Sequence, residues 1–310
     1  MPAESALAPA ARKLSLGASL AIILGLSVIW GYHWAVMKIG LTYCGAMTYS
    51  AIRCLIAAPL ILLFAKLRGS SLRLKAPGAA ILVGIVQTSS NFGLGAIAVK
   101  FGEAGKSAVL TYTMPFWVLL LGLLFLGDRA GPRRWIAAII AAAGTLLVAL
   151  AGGRAQLGPV LLAVGAGVVW ASGILLYQRS FARSGDAPTV FAGWQLLIGG
   201  IFMAIFIPFL PGEGAIQWTP AFILALTYTT LLATAFAVYF WFLLISRLEA
   251  GTVALGILLA PALGLASSWI QLGERPPPVE ALGLTIILAA IAFFAWAEWR
   301  RAQMARVARP

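Results

Sequence analysis

EAGKSAVLTYTMPFWVLLLGLLFLGDR, residues 103–129, is the stretch of this chain that decides its fold, because the chain contains it twice. Residues 249–275 read EAGTVALGILLAPALGLASSWIQLGER. Both copies begin with Glu-Ala-Gly, place a proline in the middle (Pro115 and Pro261), and end with Leu-Gly, an acid and Arg. All eight matched positions are separated by the same 146 residues, so no insertion or deletion interrupts this region. The pattern predicts two copies of one structural unit.

The chain around this repeat is very apolar. Of its 310 residues 62% are hydrophobic and 10% are charged, and the mean hydropathy is +0.97. A bilayer core about 30 Å thick needs about 20 apolar residues per helix. Ten such runs cover residues 16–39, 45–65, 78–99, 106–126, 134–151, 158–178, 189–209, 220–245, 251–271 and 279–299. The sequence therefore predicts an all-α integral membrane protein with ten transmembrane helices and no soluble domain.

The basic residues are unevenly distributed over the segments between these runs. The formal net charge is +13. Segments on the side of the N-terminus hold 16 of the 22 Lys and Arg residues, segments on the other side hold 5, and Arg53 lies within a run. This asymmetry predicts that both termini are cytoplasmic. The cytoplasmic segments therefore account for the positive charge, and nucleic acid is not expected as a partner.

Because each half has five runs, the second copy is expected to enter the membrane from the opposite side, as an inverted repeat. We predict a cytoplasmic tail over residues 1–14, a first repeat over 15–152, a second, inverted repeat over 153–299 and a basic cytoplasmic tail over 300–310. Trp30 and Trp170 match at a shift of 140 residues. About six extra residues are therefore expected in the second repeat, in the loop 211–218.

Several familiar motifs are absent or misleading. The first run is too long for the apolar core of a cleaved signal peptide, and no small-residue cleavage site follows it. Cys44 and Cys54 have neither metal-ligand nor disulfide spacing, so we expect free thiols. Gly93, Gly95 and Ala98 imitate a dinucleotide-binding pattern, but they lie within an apolar run with no strand before it. The sequence predicts no metal, no cofactor and no catalytic residue, and it places no Asp or Glu deep in any run.

Polar residues near the middle of a run are the best guide to a substrate path, because hydrocarbon offers them no hydrogen bonds. Gln87, Ser90 and Asn91 lie at i, i+3 and i+4 in the third run, so they share one helix face. They can present amide groups to a small polar ligand. The alternative is hydrogen bonding between packed helices, which is common for these residue types in membranes.

Aromatic residues form a second pattern. The first run carries Trp30 and His33, and the sixth run repeats the pattern with Trp170 and Tyr177. Aromatic walls around a polar floor suit a ligand with a flat apolar part and a hydrogen-bonding head, whereas core packing is the simpler alternative. The predicted substrate-binding set is completed by residues of the fourth, seventh and eighth runs, namely Thr111, Tyr112, Trp194 and Tyr228.

Two further features concern mechanism. Pro115 and Pro261 lie near mid-membrane at matched positions, where each removes a helical N–H and should bend or open its helix. We interpret them as a pair of gating points for alternating access. Arg53 and His33 leave alternatives open: Arg53 can bind backbone carbonyls, reach outward or face the cavity as an anion site. His33, the one histidine of the chain, is either a satisfied hydrogen-bonding partner or a proton or carboxylate site.

Taken together, the ten runs in two halves, the Trp30-Gly31 pair, Arg53, and the paired proline followed by Leu-Gly-acid-Arg resemble the EamA-type transporters of the drug/metabolite transporter superfamily. The resemblance extends over nearly the whole chain. It implies a multi-pass protein of the bacterial inner membrane that exports amino acids or other small metabolites. The aromatic amino acid exporters of this superfamily suit the Trp and Tyr lining, and a monomer acting on a small molecule in the lipid bilayer is expected.

Three other functions compete with amino acid export. A proton-coupled multidrug efflux protein, like the small four-helix relatives of the superfamily, would depend on a Glu within the first helix, where this chain has only His33. A sugar-nucleotide or phosphorylated-metabolite carrier is an alternative because Arg53, Lys100 and Lys106 can attract an anion. A membrane-embedded enzyme would need a nucleophile or an acid and base at one depth, and the sequence offers none.

Overall fold

The structure is a computed structural model that describes residues 16–127, 131–151, 153–184, 186–245 and 259–307. Asp128, Arg129 and the second Glu-Ala-Gly, residues 249–251, lie outside these ranges. Almost all described residues outside the loops are helical, and the described part contains one isolated β-bridge, between Cys44 and Ile216. The all-α prediction is confirmed.

Ten helices follow one another in the described ranges. In the first half these are α1 (Leu16–Gly40), α2 (Ala46–Leu67), α3 (Pro77–Phe101), α4 (Ala104–Leu126) and α5 (Pro132–Ala151). In the second half they are α6 (Gly153–Ser184), α7 (Pro188–Phe206), α8 (the segments Pro220–Thr227, Tyr228–Phe236 and Ala237–Ile245), α9 (Leu259–Leu272) and α10 (Pro278–Val307). Within the described ranges, nine are long and apolar enough to cross a membrane, and α9 is shorter because the predicted residues 251–258 lie outside those ranges.

Helices of the two halves pack in matching pairs. α1 packs against α9, and the corresponding pair is α6 with α4. α1 also packs against α8, and the corresponding pair is α6 with α3. α2 pairs with α7, and α5 pairs with α10. Glycines permit the closest approach in the last pair: a Cβ on Gly144 would lie 2.8 Å from the carbonyl oxygen of Gly283, and one on Gly283 would lie 2.9 Å from that of Gly144. Small residues at such crossings let two membrane helices pack backbone against backbone.

Both α3 and α8 contain a widened, π-helical segment, which an apolar run does not predict. The segments are Gly84–Ser90 and Tyr228–Phe236. In each, a hydroxyl donates to the carbonyl five residues earlier: Ser90 Oγ to Ile85 O at 3.1 Å, and Thr234 Oγ1 to Thr229 O at 2.7 Å. Such segments change which side chains share a helix face, and they are frequent at functional sites.

α4 is interrupted where the sequence predicts a bend. Its first segment ends at Thr111 and its second begins at Met114, directly before Pro115. Thr113 stabilises the interruption, because its hydroxyl donates to Leu110 O at 2.6 Å and accepts from Trp117 Nε1 at 3.1 Å. Pro261 lies near the start of the described part of α9.

The loop between α7 and α8 holds the start of α2 in place. After a 3-10 turn at Ile207–Phe209, Glu213 accepts hydrogen bonds from Thr48 N and Thr48 Oγ1, both at 2.8 Å, and from Met47 N at 3.2 Å. A Cβ on Gly45 would lie 1.8 Å from a carboxylate oxygen of Glu213, so a side chain at this position would displace the carboxylate from the helix start. A carboxylate at a helix N-terminus binds free backbone N–H groups and complements the helix dipole.

Candidate functional site

The first group of predicted site residues lies where α1 meets the π-helical segment of α8. Trp30 Nε1 donates to Ala233 O at 2.9 Å, and Tyr228 OH donates to Ile29 O at 3.0 Å. The Trp30 ring also makes an edge contact with Trp241, with centroids 5.7 Å apart. The Trp30 indole and the Tyr228 phenol therefore join α1 to α8 by hydrogen bonds, and both side chains are partly exposed.

The second group lies at the equivalent interface, where α3 and α4 meet α6. Asn91 Nδ2 donates to Ala166 O at 2.9 Å, and Thr111 Oγ1 donates to Ala163 O at 3.2 Å. The rings of Tyr112 and Trp170 meet edge to face, with centroids 5.6 Å apart. Gln87 packs against α6 so closely that a Cβ on Gly173 would lie 2.3 Å from its own Cβ. The structure thus brings amide and aromatic side chains together on one interface.

Three predicted residues do not join these groups. Trp194 Nε1 donates to Leu72 O at 2.9 Å, which directs the ring toward the loop between α2 and α3. Tyr177 meets Phe191 edge to face at 5.1 Å, and it shares an apolar cluster with Trp194 at the start of α3. The hydroxyl of Ser90 is used within its own helix. Hydrogen bonding and core packing account for these three side chains.

His33 and Arg53 form a buried pair between α1 and α2. Their side chains are 9% and 4% exposed, and Arg53 NH1 lies 2.9 Å from His33 Nε2. The Arg53 guanidinium also lies over the Phe92 ring, with Cζ 4.0 Å from the centroid, which is a cation–π contact. Arg53 Nε and His33 Nδ1 are buried and have no protein hydrogen-bond partner among the described residues.

A group of charged residues, here called the charge cluster (Glu103, Lys106, Glu274 and Glu280), joins the start of α4 to α9 and α10. Lys106 Nζ lies 2.8 Å from Glu280 and 3.6 Å from Glu103. Glu274 accepts from the Gly105 N–H at 3.3 Å and from the hydroxyl of Ser268. The acid that ends the second copy of the repeated stretch therefore binds the Glu-Ala-Gly that begins the first.

Burial affects the ionisation of this cluster at Glu103, which lies in the turn between α3 and α4. Loss of water around its carboxylate raises the Glu103 pKa, and the neighbouring Lys106 ammonium opposes that shift. Both lysines that were candidates to attract an anion bind protein groups, because Lys106 pairs with the acids and Lys100 Nζ donates to Cys44 O at 2.9 Å.

Some polar groups in the interior were missing from the predicted set. Tyr49 is fully buried, and its hydroxyl donates to Ala225 O at 3.1 Å and lies 2.8 Å from Thr229 Oγ1. Gln195 Oε1 and Thr230 Oγ1 are buried without a protein partner among the described residues. The sequence does show polar residues in the seventh and eighth runs. It does not show which of them form hydrogen bonds within the protein, because those contacts depend on the neighbouring helices.

The described residues contain no group of three or more His, Cys, Asp or Glu side chains that could hold a metal ion. Cys44 and Cys54 are free and buried. Apart from the charge cluster, the polar side chains of the two helix interfaces and their surroundings are amides, hydroxyls, indoles and the His33–Arg53 pair. In ligand pockets generally, groups of these types fix the orientation of a ligand by hydrogen bonds and aromatic contacts.

Ten apolar helices in two matching units, with polar and aromatic groups at the interfaces between the units, define a multi-pass membrane transporter of small molecules. The chain belongs to the EamA-like transporter family, which matches residues 17–150 and again 157–296. This confirms the resemblance drawn from the repeated proline and Leu-Gly-acid-Arg pattern.

Individual relatives agree with this assignment. The uncharacterized transporter YvbV of Bacillus subtilis is 30% identical over 269 residues, which is 86% of this chain and 88% of that protein. A probable amino-acid metabolite efflux pump of Salmonella typhimurium is 27% identical over 281 residues, covering 85% of this chain and 90% of the pump. A protein of known crystal structure shares the fold at 21% identity, with a TM-score of 0.65 over 92% of this chain and 99% of that one.

Proposed function

We propose that this protein exports small metabolites across the plasma membrane of a bacterium, with amino acids, and among them apolar or aromatic ones, as its substrates. The observation that carries the proposal is the pair of interfaces at the π-helical segments. At one, Gln87 and Asn91 contact α6, the helix that carries Trp170, and at the other Trp30 and Tyr228 join α1 to α8. The amide groups suit the polar head of an amino acid, and the rings suit an apolar side chain. The similarity to a probable amino-acid metabolite efflux pump supports the same substrate class.

Transport is proposed to proceed by alternating access between two inverted repeats, residues 15–152 and 153–299, with both termini in the cytoplasm. The distribution of 16 basic residues on one side and 5 on the other supports this orientation. The matched helix pairs support the exchange of equivalent roles between the two halves. Pro115 and Pro261 are the proposed gating points, and the interruption of α4 directly before Pro115 supports a hinge there.

The two ends of α4 are packed very differently. All eight residues of Ala104–Thr111 are buried, whereas Met114–Leu126 has three buried residues, Phe116, Leu119 and Gly122. In the proposed orientation the first segment is the outer one, so the outer end is closed in this state by tight packing and by the charge cluster. Outward release would require α4 to separate from α9 and α10 at this end, with α4 bending at Pro115.

The other candidate carriers receive less support. The charge cluster lies at helix ends, and the interior of the described residues carries no acid that could exchange protons for a cationic drug. Lys100 and Lys106 are engaged by protein groups, so Arg53 remains of the three basic residues that the sequence offered for an anion. We therefore rank amino acid export above both proton-coupled multidrug efflux and carriage of phosphorylated metabolites.

Reconstituted liposomes test the proposal. Efflux of labelled amino acids, nucleotide sugars, riboflavin and cationic dyes would be measured with and without a pH gradient. We expect apolar or aromatic amino acids to move fastest, and Trp30→Ala and Asn91→Ala to slow them while the exposed-loop control Trp218→Ala does not. Movement of dyes or nucleotide sugars without any amino acid would overturn the assignment.

A further inference from the structure

We infer that Arg53 and His33 form a binding site for the carboxylate of the transported amino acid. The inference rests on the proposed function and adds to it the group of the substrate that is recognised. The site stands on α1 and α2, with Phe92 of α3 covering one face of the guanidinium. It is distinct from the amide and aromatic side chains that contact α6 and α8.

The hydrogen bond between the two residues determines which groups are free. A guanidinium can only donate, so His33 Nε2 must accept the 2.9 Å bond from Arg53 NH1. The imidazole proton then lies on Nδ1. Because neither His33 Nδ1 nor Arg53 Nε has a protein partner among the described residues, the pair carries two unused N–H donors and one positive charge.

In the part of the chain that the structure describes, no acidic side chain forms a salt bridge with Arg53. Its guanidinium contacts His33, the sulfur of Met37 at 3.8 Å, the Phe92 ring and the Cys54 thiol, and all four groups are neutral. With a rise of 1.5 Å per residue, Arg53 lies about 10 Å along α2 from its start, well inside the span. A buried charge is costly unless it is paired, and an anionic ligand beside Arg53 would offset that cost.

A carboxylate fits these donors better than a phosphate does. One of its oxygens can accept from Arg53 Nε, and its single charge matches the single guanidinium. Because the two imidazole nitrogens face in different directions, His33 Nδ1 points away from the guanidinium, so His33 contributes by holding Arg53 through Nε2. A phosphate has more charge and more acceptor atoms, and the two lysines that could share it are already bound to Glu280 and to the Cys44 carbonyl. The site therefore selects compounds with one carboxylate.

The test compares amino acids with their amides, which have the same side chain and ammonium group but no negative charge. Binding of L-phenylalanine, L-leucine and their amides would be measured by competition on the purified full-length protein. We expect the wild type to prefer the acid at least tenfold. Arg53→Gln should remove this preference by weakening the binding of the acid. Arg68→Gln, at the exposed end of the same helix, should leave the preference intact.

Two further variants keep the result interpretable if Arg53→Gln does not fold. Arg53→Lys retains the charge without the Nε donor, and His33→Phe removes the Nε2 acceptor that holds the guanidinium in place, so each should reduce the preference several-fold while the amide binds as before. Equal binding of acid and amide by the wild type would overturn the carboxylate site but leave amino acid export standing. An equal loss of acid and amide in all three variants would also overturn it, since that pattern marks a structural role. Export of none of the amino acids would refute the proposed function itself.

Discussion

The buried ion pair between Lys106 and Glu280 gives the sharpest stability prediction. The two side chains are 3% and 2% exposed, and the Nζ to Oε1 distance is 2.8 Å. Glu280→Gln keeps the size of the side chain but leaves the ammonium of Lys106 without its nearest counter-charge. Removing one partner of a buried pair typically costs about 3 to 5 kcal/mol. Glu103 remains 3.6 Å from Lys106, so we expect about 3 kcal/mol, at the lower end of that range.

The assay is reversible unfolding in mixed detergent micelles, followed by the fraction of folded protein. Glu103→Gln is the matched control, because its carboxylate lies farther from Lys106 and its side chain is 30% exposed. A partly solvated pair of this kind contributes about 1 kcal/mol or less. Replacing both partners with apolar residues, Lys106→Met with Glu280→Leu, should restore most of the lost stability, since no buried charge is then left unpaired.

The reasoning is refuted if Glu280→Gln is no more destabilising than Glu103→Gln. It is also refuted if the double replacement is as unstable as Glu280→Gln alone. Either outcome would mean that water reaches the ammonium of Lys106 in the folded protein, and that the start of α4 is not sealed against α10.

Three other predictions concern the glycines and a thiol. Glu213→Ala should destabilise the protein by about 1 to 2 kcal/mol through loss of the cap on α2, and Gly45→Ala should be harmful in the wild type but nearly neutral in that variant, as read from thermal unfolding. Gly173→Ala should slow transport in liposomes because its Cβ would lie 2.3 Å from that of Gln87, and adding Gln87→Ala should restore part of the rate; no recovery would show that the two residues do not compete for space. Burial raises the pKa of the Cys44 thiol to about 12, so at pH 8 its thiolate fraction is about 1,000-fold lower than for a thiol of pKa 9. In a variant lacking the other cysteine, maleimide labelling of intact protein should therefore be very slow at pH 8 and rise about tenfold per pH unit up to pH 11, and fast labelling at neutral pH would contradict it.

Much of the fold follows from the sequence because membrane insertion imposes a local requirement. A span needs about 20 consecutive apolar residues whatever its neighbours are, so nine described helices coincide with predicted runs to within a few residues at most of their ends. α6 and α10 extend beyond the predicted ends, to Ser184 and Val307. Polar residues can continue a helix into water, so hydropathy does not mark where these helices stop.

The residues of the predicted site do not all lie together in the structure. Trp30, Asn91, Trp170 and Tyr228 lie on the interfaces between the halves, but Trp194 is held by a loop carbonyl and Ser90 by its own helix. Spacing along one helix predicts which residues share a face. It does not predict which neighbouring backbone atom a side chain binds, because that atom belongs to another helix or loop.

The sequence was sufficient for the number of spans, the duplication and the family, since hydropathy and repeated motifs are properties of the chain read in order. Which polar groups are used up within the protein was decided only by tertiary structure. Glu274 binds the start of α4, Glu213 binds the start of α2, and Lys106 pairs with Glu280, each across more than 150 residues of chain. The same packing leaves Arg53 and His33 with unused donors. In a medium without water a polar group must find a partner nearby in space, and what is nearby depends on how the helices are packed.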